Sequence, residues 1–289
     1  MAERYYGKLS SPLKNRLLEF RSTHRPQQID CGGESWTYYV GGSGDATVIL
    51  LPGGLGVAEP WFDCMLEWES HFRVVALSYP CIREMRSAVD AIAATFQREG
   101  AQKRYLLGTS LGGEIAQAFL RDRPGELDKV ILGNTGAANA VYGKKLERQL
   151  PLTRLFNIGF LFSLIKLAAK KRAASILRPY LGESELAFWL AYMNDIIENA
   201  YTRDLMQSQF NVLIQFARNY GGGIEVSSST RMLILEADDD TMFSAERRSQ
   251  LQASYPGASM KTFPNGGHLL AITRRDEYVN AITSFLLDE

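Results

Sequence analysis

Arg104-Tyr105-Leu106-Leu107-Gly108-Thr109-Ser110-Leu111-Gly112-Gly113-Glu114 is the stretch that decides how this chain folds. Its first four residues form a short, mostly apolar run of the kind that becomes a buried strand. From Leu111 onward apolar residues recur at helical spacing, which predicts a helix over 111–121. Between the two lies Gly108-Thr109-Ser110-Leu111-Gly112, the pattern Gly-x-Ser-x-Gly. By composition alone that pattern is only suggestive, and its setting decides the matter. A strand, a tight turn and a helix in succession put the serine on a sharp elbow. A serine at such an elbow takes strained backbone angles, and only glycine-sized residues two positions away on each side avoid a clash.

Outward from the elbow, short apolar runs at 47–51, 73–77, 104–107, 129–132, 232–235 and 260–263 alternate with amphipathic helical patterns at 61–69, 83–99, 111–121, 245–255 and 276–287. Buried parallel strands read as such continuous apolar runs, and helices of that length suit the crossovers between them. The alternation therefore predicts an α/β fold with a mostly parallel central sheet and helices on both faces. An antiparallel edge is expected from 35–40 and 47–51, joined as a hairpin through Gly41-Gly42-Ser43-Gly44.

Residues 137–225 break the alternation, for no strand signal occurs there and aliphatic and aromatic residues fall at helical spacing. This divides the chain into a core of 1–136 and 226–289 and a helical cap or lid insertion of 137–225. Within the insertion, Gly159, Ser163, Lys166 and Lys170 form a narrow polar stripe on an otherwise apolar helix. Part of its apolar surface is free to line a pocket, and Phe160 and Phe162 are the candidate substrate-binding residues.

At 289 residues with 46% hydrophobic residues, the chain can bury a core that stands without staples. Cys31, Cys64 and Cys81 are odd in number and form no Cys-x-x-Cys pair, so a reducing, cytoplasmic setting is expected and thiolate zinc is not. Lys plus Arg equal Asp plus Glu at 32 each, which leaves no net field to hold a nucleic acid. The most apolar segment, 155–165, has no charge for eleven residues, well short of the ~20 that span a bilayer, so no transmembrane segment is expected.

A serine hydroxyl is a weak nucleophile and needs a base, which in turn needs an orienting group. Of the three histidines, His24 and His71 sit where surface or packing residues are expected. His268 follows Asn265-Gly266-Gly267 after the last strand, where a side chain can lie over the carboxyl edge of the sheet near the elbow. The acid is sought in Glu236-Ala237-Asp238-Asp239-Asp240, which follows the strand at 232–235. Counting the turn from that strand favours Asp239 as the residue facing His268, with Asp238 and Asp240 as solvated or helix-capping neighbours. Pro52-Gly53-Gly54-Leu55-Gly56 follows the strand at 47–51. The N–H groups of Gly54 and Leu111 are the candidate oxyanion donors. A phosphate cradle is the other reading of a glycine-rich loop, but neither Gly-x-x-x-x-Gly-Lys nor Gly-x-Gly-x-x-Gly is present.

The order Ser110, acidic turn, His268 on an interrupted α/β pattern resembles the α/β-hydrolase superfamily over roughly residues 35–287. A narrower likeness is to maspardin-type members, in Val74-Val75-Ala76-Leu77-Ser78-Tyr79-Pro80 and Gly108 to Gly113. The resemblance implies an α/β-hydrolase fold with a helical cap and a serine esterase acting on a largely apolar small-molecule ester, with no cofactor. A lactonase, thioesterase or carbon–carbon bond hydrolase would use the same triad, and a maspardin-like interaction protein would use the fold as a binding surface. Many members of the superfamily carry His-Gly in the oxyanion loop where this chain has Pro52-Gly53, which retains a backbone donor.

Overall fold

The computed structural model describes residues 2–7, 9–153, 159–221 and 226–288; of residues 2, 3, 152, 153, 159 and 160 only the backbone is described. Eight strands form one sheet: β1 (Gln27–Cys31), β2 (Glu34–Gly41), β3 (Ala46–Leu51), β4 (Arg73–Ser78), β5 (Lys103–Thr109), β6 (Lys129–Gly133), β7 (Arg231–Ala237) and β8 (Ser259–Phe263). Their order is β1-β2-β4-β3-β5-β6-β7-β8, with β4 through β8 parallel and β1 and β2 antiparallel at one edge.

The six expected strands are all present. The hairpin expected between the stretch at 35–40 and that at 47–51 is not: β2 pairs with β1 and with β4, and β4 lies between β2 and β3. The tight turn that makes a hairpin here is Gly32-Gly33, both at positive φ, which joins β1 to β2. Polar β1 carries one buried residue, Ile29, so its sequence lacks the apolar run that marks the interior strands.

Strand residues alternate between two cores. Val48, Leu50, Val74, Ala76, Leu107, Ile131, Leu233 and Leu235 face one core. Ile49, Leu51, Val75, Leu77, Leu106, Val130, Leu132 and Ile234 face the other. Both faces of the sheet are therefore covered, which is why these strands carry continuous apolar runs. On the first face pack α1 (Ala2–Tyr6), α2 (Pro12–Thr23), α3 (Phe62–Trp68) and α12 (Arg275–Leu287). On the second pack α4 (Met85–Arg98), α5 (Leu111–Asp122) and α10 (Ala245–Ser254). A short α11 (Leu270–Thr273) precedes α12.

Between β6 and β7 come α6 (Ala140–Thr153), α7 (Gly159–Leu177), α8 (Glu183–Asn199) and α9 (Arg203–Asn219), and no strand occurs among the described residues of this segment. Phe188, Trp189 and Tyr192 of α8 join the first core, and Val212 and Phe216 of α9 join the second. Of the polar stripe of α7, Ser163 is exposed while the two lysines turn to the next helix. Lys166 Nζ donates to Glu198 O at 3.0 Å and Lys170 pairs with the Glu198 carboxylate, so that part of the stripe meets α8 while Leu164 and Leu167 are exposed. Gly222 and Gly223 of the Gly221-Gly222-Gly223 run and Phe156 of the apolar run lie outside the described residues. No helix among the described residues is long and apolar enough to cross a membrane.

Candidate active site

Strand register sets the site. Leu51 pairs with Gly108, Thr109 with Gly133, Gly133 with Leu235 and Ala237 with Phe263, so the loops after β3, β5, β6, β7 and β8 leave the same edge of the sheet. The carboxyl edge of a parallel sheet is where such folds place their ligands.

Ser110 stands on the elbow between β5 and α5, with φ 54° and ψ −118°. The two flanking glycines are required by the close approach of chain on either side. A Cβ at Gly108 would lie 2.2 Å from the Gly112 carbonyl oxygen, and one at Gly112 would lie 2.4 Å from that of Leu51. The strained φ is held by Ser110 N–H donating to Gly133 O at 3.0 Å and by Thr135 Oγ1 donating to Ser110 O at 2.8 Å.

His268 lies beside the serine, with Nε2 3.2 Å from Ser110 Oγ. Its Nδ1 is 2.9 Å from Asp240 Oδ2. A carboxylate can only accept, so Nδ1 carries the hydrogen, and in a neutral imidazole Nε2 is left as acceptor for the serine proton. Phe243 stacks on the imidazole at 5.7 Å between centroids. Asp240 Oδ2 also accepts from Asn134 Nδ2 at 3.0 Å, and Oδ1 accepts the N–H groups of Met242 and Phe243 at 2.7 and 3.2 Å. Burial pushes the Asp240 carboxyl up. The hydrogen bonds from His268, Asn134 and Met242 N–H and the charge on His268 outweigh it, and hold the group below the usual aspartate range.

The acid facing His268 is thus Asp240, not the expected Asp239. The cause is the length of the strand: β7 continues two residues past Leu235 to Ala237, and the Asp240 N–H closes a turn on Ala237 O that folds the third acid back over the sheet edge. Each acid holds a different part of the loop opposite. Asp238 accepts Asn265 N–H at 2.9 Å, while Asp239 accepts Gly266 and Gly267 N–H at 3.0 and 2.8 Å. Asp240 alone turns inward to the imidazole. The reading of Asp240 as a capping neighbour holds for its Oδ1 only; the N-cap of α10 is Ser244.

The loop after β3 runs against the serine. A Cβ on Gly53 would sit 3.3 Å from Ser110 Cβ and 3.8 Å from Oγ, whereas Gly54 faces open space. Leu111 opens α5, so its N–H has no acceptor one turn back within the helix. Gly56, at φ 66°, packs on Gln209 and Leu205 of α9, which brings the helical segment onto the far end of this loop. Phe162 stacks on Tyr201 at 6.4 Å with Lys166 over its face, both contacts within that segment, and the Phe160 side chain lies outside the described residues. Cavities of about 290 Å³ beside Asp63 and Arg275 and about 420 Å³ beside Tyr255 and Met232 are not lined by Ser110 or His268. His24 is buried against Phe20 with Nε2 on Glu69, and His71 is exposed.

Asn134, Phe243 and Tyr180 belong to this site and were not singled out from the sequence. Asn134 carries a signal in principle, for it follows Gly133 at a strand end and adopts φ 41°, a conformation asparagine tolerates. Tyr180 donates to Asp239 Oδ2 at 2.5 Å from a segment with no motif. Beneath the elbow, fully buried Glu114 accepts from Arg247 Nη2 at 3.1 Å, and the guanidinium lies 4.3 Å from the Tyr142 ring centroid and 4.6 Å from that of Phe243. Burial pushes Glu114 up to about 7 against the opposing pull of Arg247. No cluster of three or more metal-ligating side chains occurs among the described residues.

A family model described as "Alpha/beta hydrolase family" matches residues 48–281, which include every strand from β4 to β8 and the whole Ser110, Asp240, His268 set. The chain belongs to that family. Among curated relatives, maspardin of Danio rerio is 22% identical over 266 residues, covering 89% of this chain and 81% of that protein. Among solved structures, the enol-lactonase from Burkholderia xenovorans LB400 superposes with a TM-score of 0.70 at 15% identity, covering 91% of this chain and 100% of that one. An esterase from Exiguobacterium antarcticum gives a TM-score of 0.70 at 17% identity, covering 90% and 99%. At these identities the structures share the α/β-hydrolase fold with this chain, and the chemistry has to be argued from its own residues.

Proposed function

We propose that this α/β hydrolase is a serine hydrolase that cleaves a carboxylic ester of a largely apolar small molecule. The observation that carries the reading is the continuous hydrogen-bonded path from Ser110 Oγ through His268 to Asp240. Ser110 Oγ attacks the ester carbonyl as its proton passes to His268 Nε2, while buried Asp240 holds the imidazole in the tautomer that can accept it. The N–H groups of Gly54 and Leu111 receive the oxyanion of the tetrahedral intermediate. Its collapse breaks the bond to the alcohol, which leaves with the proton from His268 and an acyl group on Ser110. Water, deprotonated by the same imidazole, then releases the acid and restores the serine.

In this reading residues 137–225 are a cap. The packing of α9 on Gly56 and of Tyr180 on Gly267 supports it, since these contacts set the segment over two of the loops that surround Ser110. The apolar character of α7 and α8 favours an uncharged acyl chain. The likeness to maspardin supports a second reading, in which the hydrolase fold serves as a binding surface.

A fluorophosphonate probe with mass spectrometric mapping, run beside a panel of p-nitrophenyl esters, tests the proposal. Expected are a single adduct on Ser110 and turnover that favours apolar acyl groups. Turnover confined to lactones, thioesters or a carbon–carbon substrate would keep the triad and change the class, whereas neither label nor turnover would favour the binding-surface reading.

A further inference from the structure

Asp239, displaced from the role its position suggested, holds the backbone that delivers the base. Its Oδ1 accepts the N–H groups of both Gly266 and Gly267, the two residues immediately before His268. Two consecutive glycines have the most conformational freedom a chain can have, and fixing both amides on one carboxylate oxygen removes much of it. The other oxygen, Oδ2, accepts from the Tyr180 hydroxyl at 2.5 Å. Tyr180 belongs to the connection between α7 and α8 and is tied there by its N–H to Leu177 O at 3.1 Å. Its ring also covers Gly267, where a Cβ would lie 2.8 Å from Cε2 and 3.1 Å from the hydroxyl oxygen. Gly267 has φ 63°, so both its conformation and the space the tyrosine occupies call for glycine. On the far side Gly267 O accepts from Asn134 Nδ2 at 3.2 Å, the same amide that reaches Asp240.

We infer that Tyr180 and Asp239 form a latch through which the seating of the helical segment sets the position of His268. Asp239 is a positioning residue for the base loop, and Tyr180 couples that residue to α7 and α8. The inference rests on the proposed Ser110, His268, Asp240 triad. The latch holds over the working pH range. Burial raises the Asp239 carboxyl, but the Tyr180 and backbone hydrogen bonds outweigh it and keep the group below the usual aspartate range. The hydrogen bond to Asp239, then burial and the neighbouring acids, push Tyr180 up to about 12.

The test uses the full-length protein with Tyr180→Phe, Asp239→Ala and Asp239→Asn, and the double variant Tyr180→Phe/Asp239→Ala. Misplacing a catalytic group by about 1 Å costs on the order of a hundredfold. On p-nitrophenyl acetate, which is too small to fill a cap, kcat should fall about tenfold in Tyr180→Phe and about a hundredfold in Asp239→Ala, with KM within about twofold of wild type. Asp239→Asn keeps an oxygen for the two glycine amides and should recover a large part of the loss. The double variant should be no slower than Asp239→Ala, because the two residues act as one unit. Fluorophosphonate labelling of Ser110 should slow in parallel, and hydrogen exchange at the Gly266 and Gly267 amides should quicken in both single variants that break the latch. Wild-type kcat and labelling in Tyr180→Phe, or multiplicative losses in the double variant, overturn the latch while leaving the triad intact. Absence of labelling at Ser110 in the wild-type protein overturns the triad and the inference together, and a loss that appears only as lowered Tm, with kcat unchanged, reduces the pair to a structural contact.

Discussion

The carboxyl edge of the sheet and the four helices between β6 and β7 are held by different forces. At the edge, Ser110, Asn134, Asp240 and His268 each stand within five residues of a strand end, and the parallel ladder fixes those ends relative to one another. Backbone hydrogen bonds therefore set most of the geometry, and side chains such as Asn134 refine it. Among residues 137–225 the contacts between helices are made by side chains instead: Glu198 receives Lys166 and Lys170, Phe162 stacks on Tyr201, and Arg218 pairs with Glu147. The segment touches the edge through a few side chains, chiefly Gln209 and Leu205 on Gly56, Tyr180 on Gly267 and Asp239, and Tyr142 over Arg247. In the proposed reading chemistry sits where the ladder dictates position, and selectivity is expected where position depends on replaceable side chains.

The largest expected effect tests whether the edge alone carries the chemistry. Ser110→Ala should lower kcat by about 10⁴-fold or more, with Tm close to wild type, because alanine is no larger than serine and the elbow's φ is already borne by a residue with a Cβ. Activity surviving in that variant would place the nucleophile elsewhere. Next comes Asp240→Asn, which keeps the shape of the turn but removes the charge that orients and stabilises the imidazolium. A loss on the order of 10³ to 10⁴ in kcat is expected. Asp238→Asn, on an exposed residue whose carboxylate accepts Asn265 N–H, should stay within about twofold. Equal losses for the two would mean that the acidic turn acts as a single charged patch and not as three separately aimed groups.

The same contrast explains what could be read from the sequence. The parallel strands were legible because both their faces are buried, which gives unbroken apolar runs such as Val48 to Leu51. Ser110 and His268 were legible because the glycines beside them are demanded by backbone geometry. The choice among Asp238, Asp239 and Asp240 was not, for it hangs on β7 extending through Glu236 and Ala237, and Glu236 looks like the end of a strand when only its polarity is seen. In the structure that glutamate is largely buried and accepts from Gln252 and Thr262. β1 was missed for the same reason, since four of its five residues are not buried. The seating of α7 has no local mark, because Lys166 and Lys170 find their partner, Glu198, 32 and 28 positions away on the next helix. Tyr180 had no local mark at all, as its partner lies 59 positions away.

A third prediction concerns the joint between the two regions. Glu114 of the elbow helix, Arg247 and Tyr142 of α6 form a buried group that spans them. With its carboxyl displaced from 4.5 to about 7, the folded protein keeps a proton that the unfolded chain has released, so raising the pH across that interval favours unfolding. At about 1.4 kcal/mol per pH unit, wild type should lose up to about 3 kcal/mol relative to Glu114→Gln between pH 4.5 and 7, and no more above pH 7. The variant keeps an acceptor for Arg247 and has nothing to ionise. Denaturant unfolding of both proteins at pH 4.5, 6 and 8 reads the difference directly; a gap independent of pH would show that Arg247 holds Glu114 ionised throughout.

The smallest effect belongs to the helical segment itself. Phe162 is half-buried against Tyr201, and its loss should open space that an acyl chain can fill. Each additional buried methylene contributes up to about 0.8 kcal/mol, roughly a fourfold gain in kcat/KM, until the pocket is full. For wild type the specificity constant should climb with acyl length and then fall, and Phe162→Ala should move that maximum to longer chains while changing the value for the acetate ester by less than about threefold. The pH dependence should keep its shape, because Ser110, His268 and Asp240 are fixed by the sheet edge whereas Phe162 packs on Tyr201 and Lys166 within the helical segment. A uniform loss across all chain lengths would count against this division of labour. It would mean that α7 acts on the base through Tyr180 and the Asp239 latch more strongly than on the substrate, and that the helices contribute to the rate of the reaction as well as to the choice of ester.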